Sequence, residues 1–247
     1  MALERYIDGL QVVLERIRGE QAGNIMRAGQ IVATAISAGG VIHTFGTGHS
    51  HLIAHEAFFR AGGIAAINPI LEERLIFLRG ALESTRAERE SGLAKELIRR
   101  EDVRNGDAAI IISNSGRNAV PVEMALEMTA LGVKVIVITN LEQSLASKAT
   151  HSSGRRLCEL ADVTIDNCVP QGDALLTLPG MDSKVGPSST VAGAAIINAI
   201  VIEAVSELLQ RGEVVPVLPS ANVEGVIEKT LRDILAPYKG RIKHLDV

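Results

Sequence analysis

Hydrophobic residues follow two different periods along the chain. Before residue 38 they recur every three or four positions, which predicts two amphipathic helices, at 3–18 and 21–37. After Gly39-Gly40 the pattern changes to short unbroken apolar runs separated by helical stretches. Apolar runs without alternation are typical of parallel strands that are buried on both faces. The apolar positions of the first helix are Leu3, Ile7, Leu10, Leu14 and Ile17.

The apolar runs predict short strands at 41–45, 64–67, 107–112, 133–138 and 162–166. Further helices are predicted at 51–60, 91–100, 118–131, 189–211 and 222–235. Because strands alternate with helices, we expect an α/β fold, a three-layer αβα sandwich with a mainly parallel sheet and an N-terminal helical hairpin. Two stretches are ambiguous: the charged segment 72–90 fits a flexible lid, and 171–186 fits a loop or a hairpin.

We expect one domain over the 247 residues, since a chain of this length can bury a sizeable core. The predicted core covers about 36–211, the N-terminal helices 3–37 and a C-terminal extension 212–247.

Composition and charge narrow the range of partners. A net charge of −4 without a basic block argues against binding a nucleic-acid backbone, and an aromatic content of 2% argues against base stacking. The apolar runs are shorter than the ~20 residues of a membrane span, and the N-terminus leads into a helical pattern rather than a signal peptide. Cys158 and Cys168 lack metal-ligand spacing and fit a reducing compartment. We therefore expect a cytoplasmic protein with no membrane or nucleic-acid partner.

Polar loops follow three of the predicted strands, at 46–50, 113–118 and 139–140. Ligands of parallel sheets bind beyond the carboxyl ends of the strands, so these loops should converge on one site. In the second loop Asn118 is a suitable N-cap and Pro121 fits the first helical turn. The free N–H groups of that helix and the nearby serine hydroxyls predict a phosphate-binding loop. An ordinary strand-to-helix turn is the alternative.

The loop Gly46-Thr47-Gly48-His49-Ser50 starts like a dinucleotide-binding motif but does not complete one. The third glycine would fall at His51, and Asn68 stands where an acidic residue is expected after the next strand. We therefore interpret the loop as a second turn that faces a sugar or a phosphate. A tight turn that needs glycine for its backbone is the alternative.

Taken together, three loops resemble those of the SIS (sugar isomerase) domain family. They are residues 46–50, the sequence Ser-Asn-Ser-Gly-Arg-Asn at 113–118, and Gly-Pro-Ser-Ser-Thr at 186–190, which opens a long helix. The resemblance covers roughly residues 20–210, and its most specific part is the second loop. Within the family the chain is most similar to stand-alone bacterial proteins of about this length, the UPF0309 group. That further similarity lies at 151–154, 185–187 and 220–223.

The resemblance implies a flavodoxin-like sheet and a phosphorylated sugar as ligand, with no cofactor. It implies that Ser113, Ser115 and Asn118, together with the N–H groups of Ser115 and Gly116, hold the phosphate, although family members usually have Thr at the Asn118 position. Gly48 and Ser50 would face the sugar, and Ser189 would close the site. The full set of implied substrate- or phosphate-binding residues is Gly48, Ser50, Ser113, Asn114, Ser115, Gly116, Asn118, Ser188, Ser189 and Thr190.

Catalytic branches of the family often carry a glutamate ten residues after the serine of the first loop, where this chain has Arg60. An aldose–ketose isomerase needs a base that moves a proton between C1 and C2 of the sugar, and an acid that opens the sugar ring. Glu56 lies one helical turn before Arg60 and is the candidate base, with His55 and His49 as candidate acid–base groups. Glu72 and Glu73 are the other carboxylate candidates.

The histidines allow a second interpretation. His51 and His55 are four residues apart on one predicted helix, a spacing that could bind Zn²⁺. Two histidines one turn apart are more often polar helix surface, so we expect no metal site. His43 lies within an apolar strand and is expected to be a hydrogen-bonded core residue, whereas His151 could serve a neighbouring subunit.

The long helix at 189–211 is rich in small residues, which favours either burial between subunits or close packing within the chain. The resemblance implies a homodimer or higher homo-oligomer. The function expected from it is a sugar-phosphate isomerase acting on a phosphorylated sugar or amino sugar. A non-catalytic phosphosugar sensor that regulates a protein partner is the main alternative, and an amino-sugar-phosphate lyase or deaminase is a further one.

Overall fold

The computed structural model describes residues 1–220, 222 and 228–245. Its strands are β1 (Ile42–Gly46), β2 (Ile67–Pro69), β3 (Ala108–Ile112), β4 (Lys134–Thr139), β5 (Val163–Asp166), β6 (Ala174–Leu176) and β7 (Val185–Pro187). Its helices are α1 (Ala2–Glu20), α2 (Ala22–Ser37), α3 (Ser50–Glu56), α4 (Ala81–Ala87), α5 (Leu93–Ile98), α6 (Ala119–Ala130), α7 (Leu141–Ala146), α8 (Ser189–Gln210) and α9 (Glu228–Leu235). Short 3-10 turns occur at Glu73–Leu75, Phe77–Arg79, Leu157–Glu159 and Ala236–Tyr238.

Five parallel strands form the central sheet in the order β2-β1-β3-β4-β5. This is the flavodoxin-like order, and helices cover both faces of the sheet. The three-layer α/β fold that the hydrophobic pattern predicted is therefore confirmed, and so are two N-terminal helices, which only Gln21 separates. The hairpin interpretation of 171–186 is also correct, because β6 pairs antiparallel with β7.

Side chains of the central strands alternate between two hydrophobic cores. Ile110 and Ile112 of β3 face the layer formed by α1, α2, α3, α8 and the C-terminal segment. Ala109 and Ile111 of the same strand face the layer formed by α4, α5 and α6. Because both faces are apolar and buried, these strands show no polar alternation in the sequence.

One predicted strand needs correction. Strand β2 lies at Ile67–Pro69 rather than at 64–67, because Ile64 instead forms an isolated bridge with Val217. Segment 72–90, which fits a flexible lid in the sequence, contains two 3-10 turns and α4. Of the last predicted helix, 222–235, the structure describes α9 at Glu228–Leu235 and a turn at Asn222, and residues 223–227 lie outside the described residues.

Small residues bring α8 close to its neighbours within the chain. A Cβ atom at Gly193 would overlap Ile53 of α3, and one at Gly29 of α2 would overlap Glu203 of α8. These two glycines therefore serve helix packing inside the chain. Helix α8 is long and apolar enough to cross a membrane, whereas the sequence led us to expect only shorter apolar runs. A buried core helix can have the same length and composition, so this finding is weak evidence for a membrane span.

A buried polar cluster closes the amino edge of the sheet. His43 in β1 donates from Nε2 to Asp107 Oδ2 at 3.1 Å and accepts at Nδ1 from the Asn68 amide at 3.0 Å. Arg241, from the C-terminal segment, donates to both oxygens of Asp107 at 3.0 and 2.9 Å. His43 is thus the hydrogen-bonded core histidine that the sequence predicted, and Asp107 ties three segments together.

The carboxylate of Asp107 is held ionised despite its burial. Burial by itself raises the pKa of this group, but hydrogen bonds from His43, from the N–H groups of Val41 and Arg104, and from Arg241 outweigh it and lower the pKa to about 2. Since the folded pKa lies below the ordinary value of about 3.9, the ionised carboxylate stabilises the fold above pH ~4. That contribution is lost as the pH falls from ~4 to ~2.

We predict that Asp107→Asn lowers the free energy of unfolding at pH 7 by about 3 kcal/mol, because it removes the buried charge that pairs with Arg241 and leaves that side chain with Asp102 as its ion-pair partner among the described residues. The wild type should also lose about 2 kcal/mol more than the variant between pH 5 and pH 2. Urea denaturation at several pH values measures both effects. Asp182→Asn, at an exposed turn, is the control, and equal pH slopes for wild type and Asp107→Asn would contradict the prediction.

Candidate functional site

A cleft of about 450 Å³ opens at the carboxyl edge of the sheet, where the predicted loops converge. Loops after β1 and β3 form its floor, and the segment that contains α4 forms one wall. The start of α8 and the turn before β6 close the remaining side. The lining residues are Thr47, Gly48, His49, Ser50, Phe77, Ala81, Ser84, Thr85, Glu88, Ser113, Asn114, Ser115, Asn118, Gln143, Asp173 and Ser189.

The loop after β3 is held in a fixed conformation. Ser113 Oγ accepts the Gly116 N–H at 3.2 Å, so this N–H, which was expected to hold the phosphate, is occupied within the loop. The Asn114 side-chain oxygen accepts from the Asn167 amide at 2.8 Å. Gly116 has a φ of +58°, and a Cβ atom there would lie 2.7 Å from Ser144 Oγ. Only glycine fits both the conformation and the space.

The same loop presents donors to the cleft. Asn118 stands at the N-cap of α6 with extended backbone, but its side chain makes no capping hydrogen bond. Within the described part of the chain, nothing accepts a hydrogen bond from the N–H of Ser115 or of Asn118. Both residues line the cleft, at the positive end of the α6 dipole. This geometry is suited to an anion with several oxygen atoms.

The loop after β1 is anchored to the opposite wall. The Gly48 N–H donates to the Leu75 carbonyl at 2.8 Å, and Ser84 Oγ donates to the same carbonyl at 3.0 Å. The ring of His49 lies 4.8 Å from that of Phe77, and both rings line the cleft. The segment 72–90 is therefore hydrogen-bonded to the loop that it faces.

The third loop has its donors occupied within the chain. The Asp173 carboxylate accepts from the N–H groups of Ser188 and Ser189 at 2.9 and 2.6 Å, and from Ser189 Oγ at 2.9 Å. Ser189 lines the cleft, whereas Ser188 is fully buried and Thr190 points outside it. Of the three residues predicted here, the structure places Ser189 alone at the site.

The structure does not bring two of the predicted catalytic residues to the cleft. Glu56 forms an ion pair with Arg60 and lies 3.4 Å from the Asn198 amide of α8, while His55 is exposed against Phe58. Both lie beyond the first turn of α3, and that turn alone reaches the cleft through Ser50. The prediction placed them at the site because a helix after a ligand-binding loop was expected to overhang it.

The other predicted carboxylates are also absent from the lining. Glu72 pairs with Arg74 and Arg100, and Glu73 pairs with Arg79. The cleft instead holds Glu88 and Asp173, neither of which the sequence indicated. Segment 72–90 has no clear hydrophobic period, so no pattern marked which of its charged residues faces inward.

The described residues contain no group of three or more His, Cys, Asp and Glu side chains that could hold a metal ion. His51 donates from Nδ1 to the Gly48 carbonyl at 3.0 Å, and burial lowers its pKa. His151, which the sequence suggested could serve a neighbouring subunit, has its Nε2 atom 3.4 Å from Glu123 Oε1 of its own chain.

Comparison with known proteins places this fold in a family. A model of the SIS domain matches residues 5–140. A UPF0309 protein of Listeria innocua is 43% identical over 240 residues, which cover 97% of each chain. The phosphoheptose isomerase of Neisseria gonorrhoeae superposes with a TM-score of 0.56 at 13% identity, over 83% of this chain and 97% of that one. The Vibrio vulnificus NanR protein, solved with ManNAc-6P, gives a TM-score of 0.50 at 13% identity, over 98% of this chain and 68% of that one.

The two structural similarities support the fold, and the family rests on the domain model and on the close relative. The chain belongs to the SIS-domain family and, within it, to the UPF0309 group.

Proposed function

We propose that this protein binds a phosphorylated sugar in the cleft and interconverts its aldose and ketose forms. The observation that carries the proposal is that the N–H groups of Ser115 and Asn118, at the start of α6 in the cleft, have no acceptor among the residues that the structure describes. A phosphate there would accept from these N–H groups and from the Ser115 hydroxyl. The sugar would extend towards Gly48, Ser50 and Ser189.

The described residues that line the cleft include no Lys or Arg. Neutral donors and the α6 dipole would therefore provide the phosphate contacts. Hydroxyl and amide groups of Ser50, Thr85 and Gln143 also face the cleft and suit the hydroxyls of a sugar. The family and the two structural neighbours support this ligand class, since one is a phosphoheptose isomerase and the other holds ManNAc-6P.

An isomerase also needs groups that move protons. His49 lines the cleft and can serve as the acid that opens the sugar ring. A phosphosugar sensor is the second candidate, because Glu56 is paired with Arg60 outside the cleft and cannot act there as a base. An isomerase exchanges a carbon-bound proton of the sugar with solvent, whereas a sensor that only binds the sugar phosphate does not. Measuring this exchange therefore distinguishes the two functions.

We further propose that the protein forms a homodimer. Helices α1 and α8 pack against one another, and both expose large apolar side chains. Ile202 and Leu209 of α8 are 65% and 62% exposed, and Leu3 and Val12 of α1 are 64% and 59% exposed. A second copy of the chain would remove this apolar surface from water.

Replacing Ser115 with Leu should abolish sugar-phosphate binding and leave the fold intact, because the bulky side chain would fill the phosphate position. Each charge-assisted hydrogen bond to the phosphate contributes roughly 1.5–3 kcal/mol to the binding free energy, and the variant would lose these bonds. Calorimetry with a panel of sugar phosphates measures the effect, and Ser183→Leu, on the exposed β6–β7 turn, is the matched control. If the wild type binds unphosphorylated sugars as tightly as their phosphates, the phosphate assignment is wrong.

Replacing Ile202 with Glu should convert the dimer to a monomer, because it places a charge in the apolar surface of α8. Light scattering coupled to size-exclusion chromatography measures the mass. Leu145 is 52% exposed and belongs to α7, which is not part of the proposed interface, so Leu145→Glu should remain dimeric. A monomeric wild type, or a dimer that survives Ile202→Glu, would count against this interface.

A further inference from the structure

Among the described glutamates of its segment, Glu88 alone is both half-buried and without an ion pair. Glu72, Glu73 and Glu90 each pair with an arginine, and Glu83, which has no ion pair, is exposed to solvent. No Lys, Arg or His in the described ranges lies within ion-pair distance of Glu88. Its Oε2 accepts a hydrogen bond from Thr47 Oγ1 at 3.0 Å, and its Oε1 has no protein partner among those residues. A half-buried carboxylate that lines a cleft and has no ion-pair partner among the described residues is a candidate for proton transfer to or from a bound ligand.

The backbone fixes Glu88 relative to the phosphate loop. Its carbonyl accepts the N–H of Val120 at 3.1 Å, and Val120 lies in the first turn of α6, directly after the donors of that loop. The Glu88 N–H donates to the Ser84 carbonyl at 3.1 Å. The Ser84 hydroxyl donates to the Leu75 carbonyl, which also accepts the Gly48 N–H from the loop after β1. The carboxylate is thus held between two ligand-facing loops, as catalytic positioning requires.

We propose that Glu88 is the general base of the isomerisation, with Thr47 orienting its carboxylate. This rests on the proposed function, since it assumes that a sugar phosphate occupies the cleft. Glu88 takes the proton from C2 of the open-chain aldose, and the C–H electron pair forms the C1–C2 double bond of an enediolate, with the negative charge on O1. The carboxyl group returns a proton to C1, while the O2 hydroxyl proton passes through solvent to O1. The product is the ketose isomer, and no oxidant or metal is consumed.

The carboxyl-bound proton can exchange with solvent during the reaction, which gives a direct test. The probes are aldose and ketose phosphates of five to seven carbons, with and without a 2-amino group, in D₂O. Wild type should introduce deuterium at C1 or C2 of at least one sugar phosphate that it binds. Glu88→Gln keeps the shape and the Thr47 contact, so its Kd should stay within about tenfold of wild type. Its exchange rate should fall by at least about a hundredfold, the usual scale of general-base loss.

Three further variants separate Glu88 from its neighbours. Glu88→Asp retains a carboxylate one methylene shorter, so it should restore part of the exchange. Glu83→Gln, on the exposed side of α4, and Glu56→Gln, outside the cleft, should both exchange at the wild-type rate. Thermal denaturation of each variant checks that the fold is retained.

Each alternative result identifies what fails. Undiminished exchange by folded Glu88→Gln, or loss of exchange in Glu56→Gln instead, overturns the role of Glu88 and leaves an isomerase. Binding by wild type without exchange on any bound sugar phosphate overturns the general base and favours the sensor. Absence of binding to every sugar phosphate overturns the proposed function itself.

Discussion

The site depends on the parallel register of the three central strands. β1 pairs with β3 and β3 with β4, so that Gly46, Ile112 and Ile138 lie side by side at the carboxyl edge. The polar loops that follow therefore begin level with one another. Apolar side chains on both faces stabilise this register, because a shift along the strands would break the two buried cores together.

A second constraint comes from two backbone carbonyls. The Leu75 carbonyl receives hydrogen bonds from Gly48 and Ser84, and the Glu88 carbonyl receives one from Val120. These bonds attach the charged segment to both ligand-facing loops and turn it into a wall of the cleft. The proposed chemistry follows from this attachment, since it places in the same cleft as the proposed phosphate donors a carboxylate, Glu88, that has no ion-pair partner among the described residues.

The two edges of the sheet carry different kinds of polar residues. At the amino edge His43, Asn68, Asp107 and Arg241 bond to one another, and this arrangement stabilises the fold. At the carboxyl edge the N–H groups of Ser115 and Asn118 and one oxygen of Glu88 have no protein partner within the described residues. The hydrogen bonds at the amino edge hold the structure together, whereas the groups at the carboxyl edge that lack a partner among the described residues face the cleft and can bind a ligand.

The sequence by itself determined the α/β class, the parallel sheet and the loop at 113–118, because apolar period and glycine position act locally. It also determined the role of His43, since a histidine inside an apolar strand must be hydrogen-bonded in the core. The sequence wrongly predicted that Glu56 and His55 lie at the ligand site. Helical spacing indicates which residues share a face of the helix, but it does not indicate whether that face is directed towards the cleft. Only the tertiary structure decided that Glu88 and Asp173 enter the cleft. Their positions depend on hydrogen bonds to residues distant in the chain, Thr47 and Val120 for the first and Ser188 and Ser189 for the second.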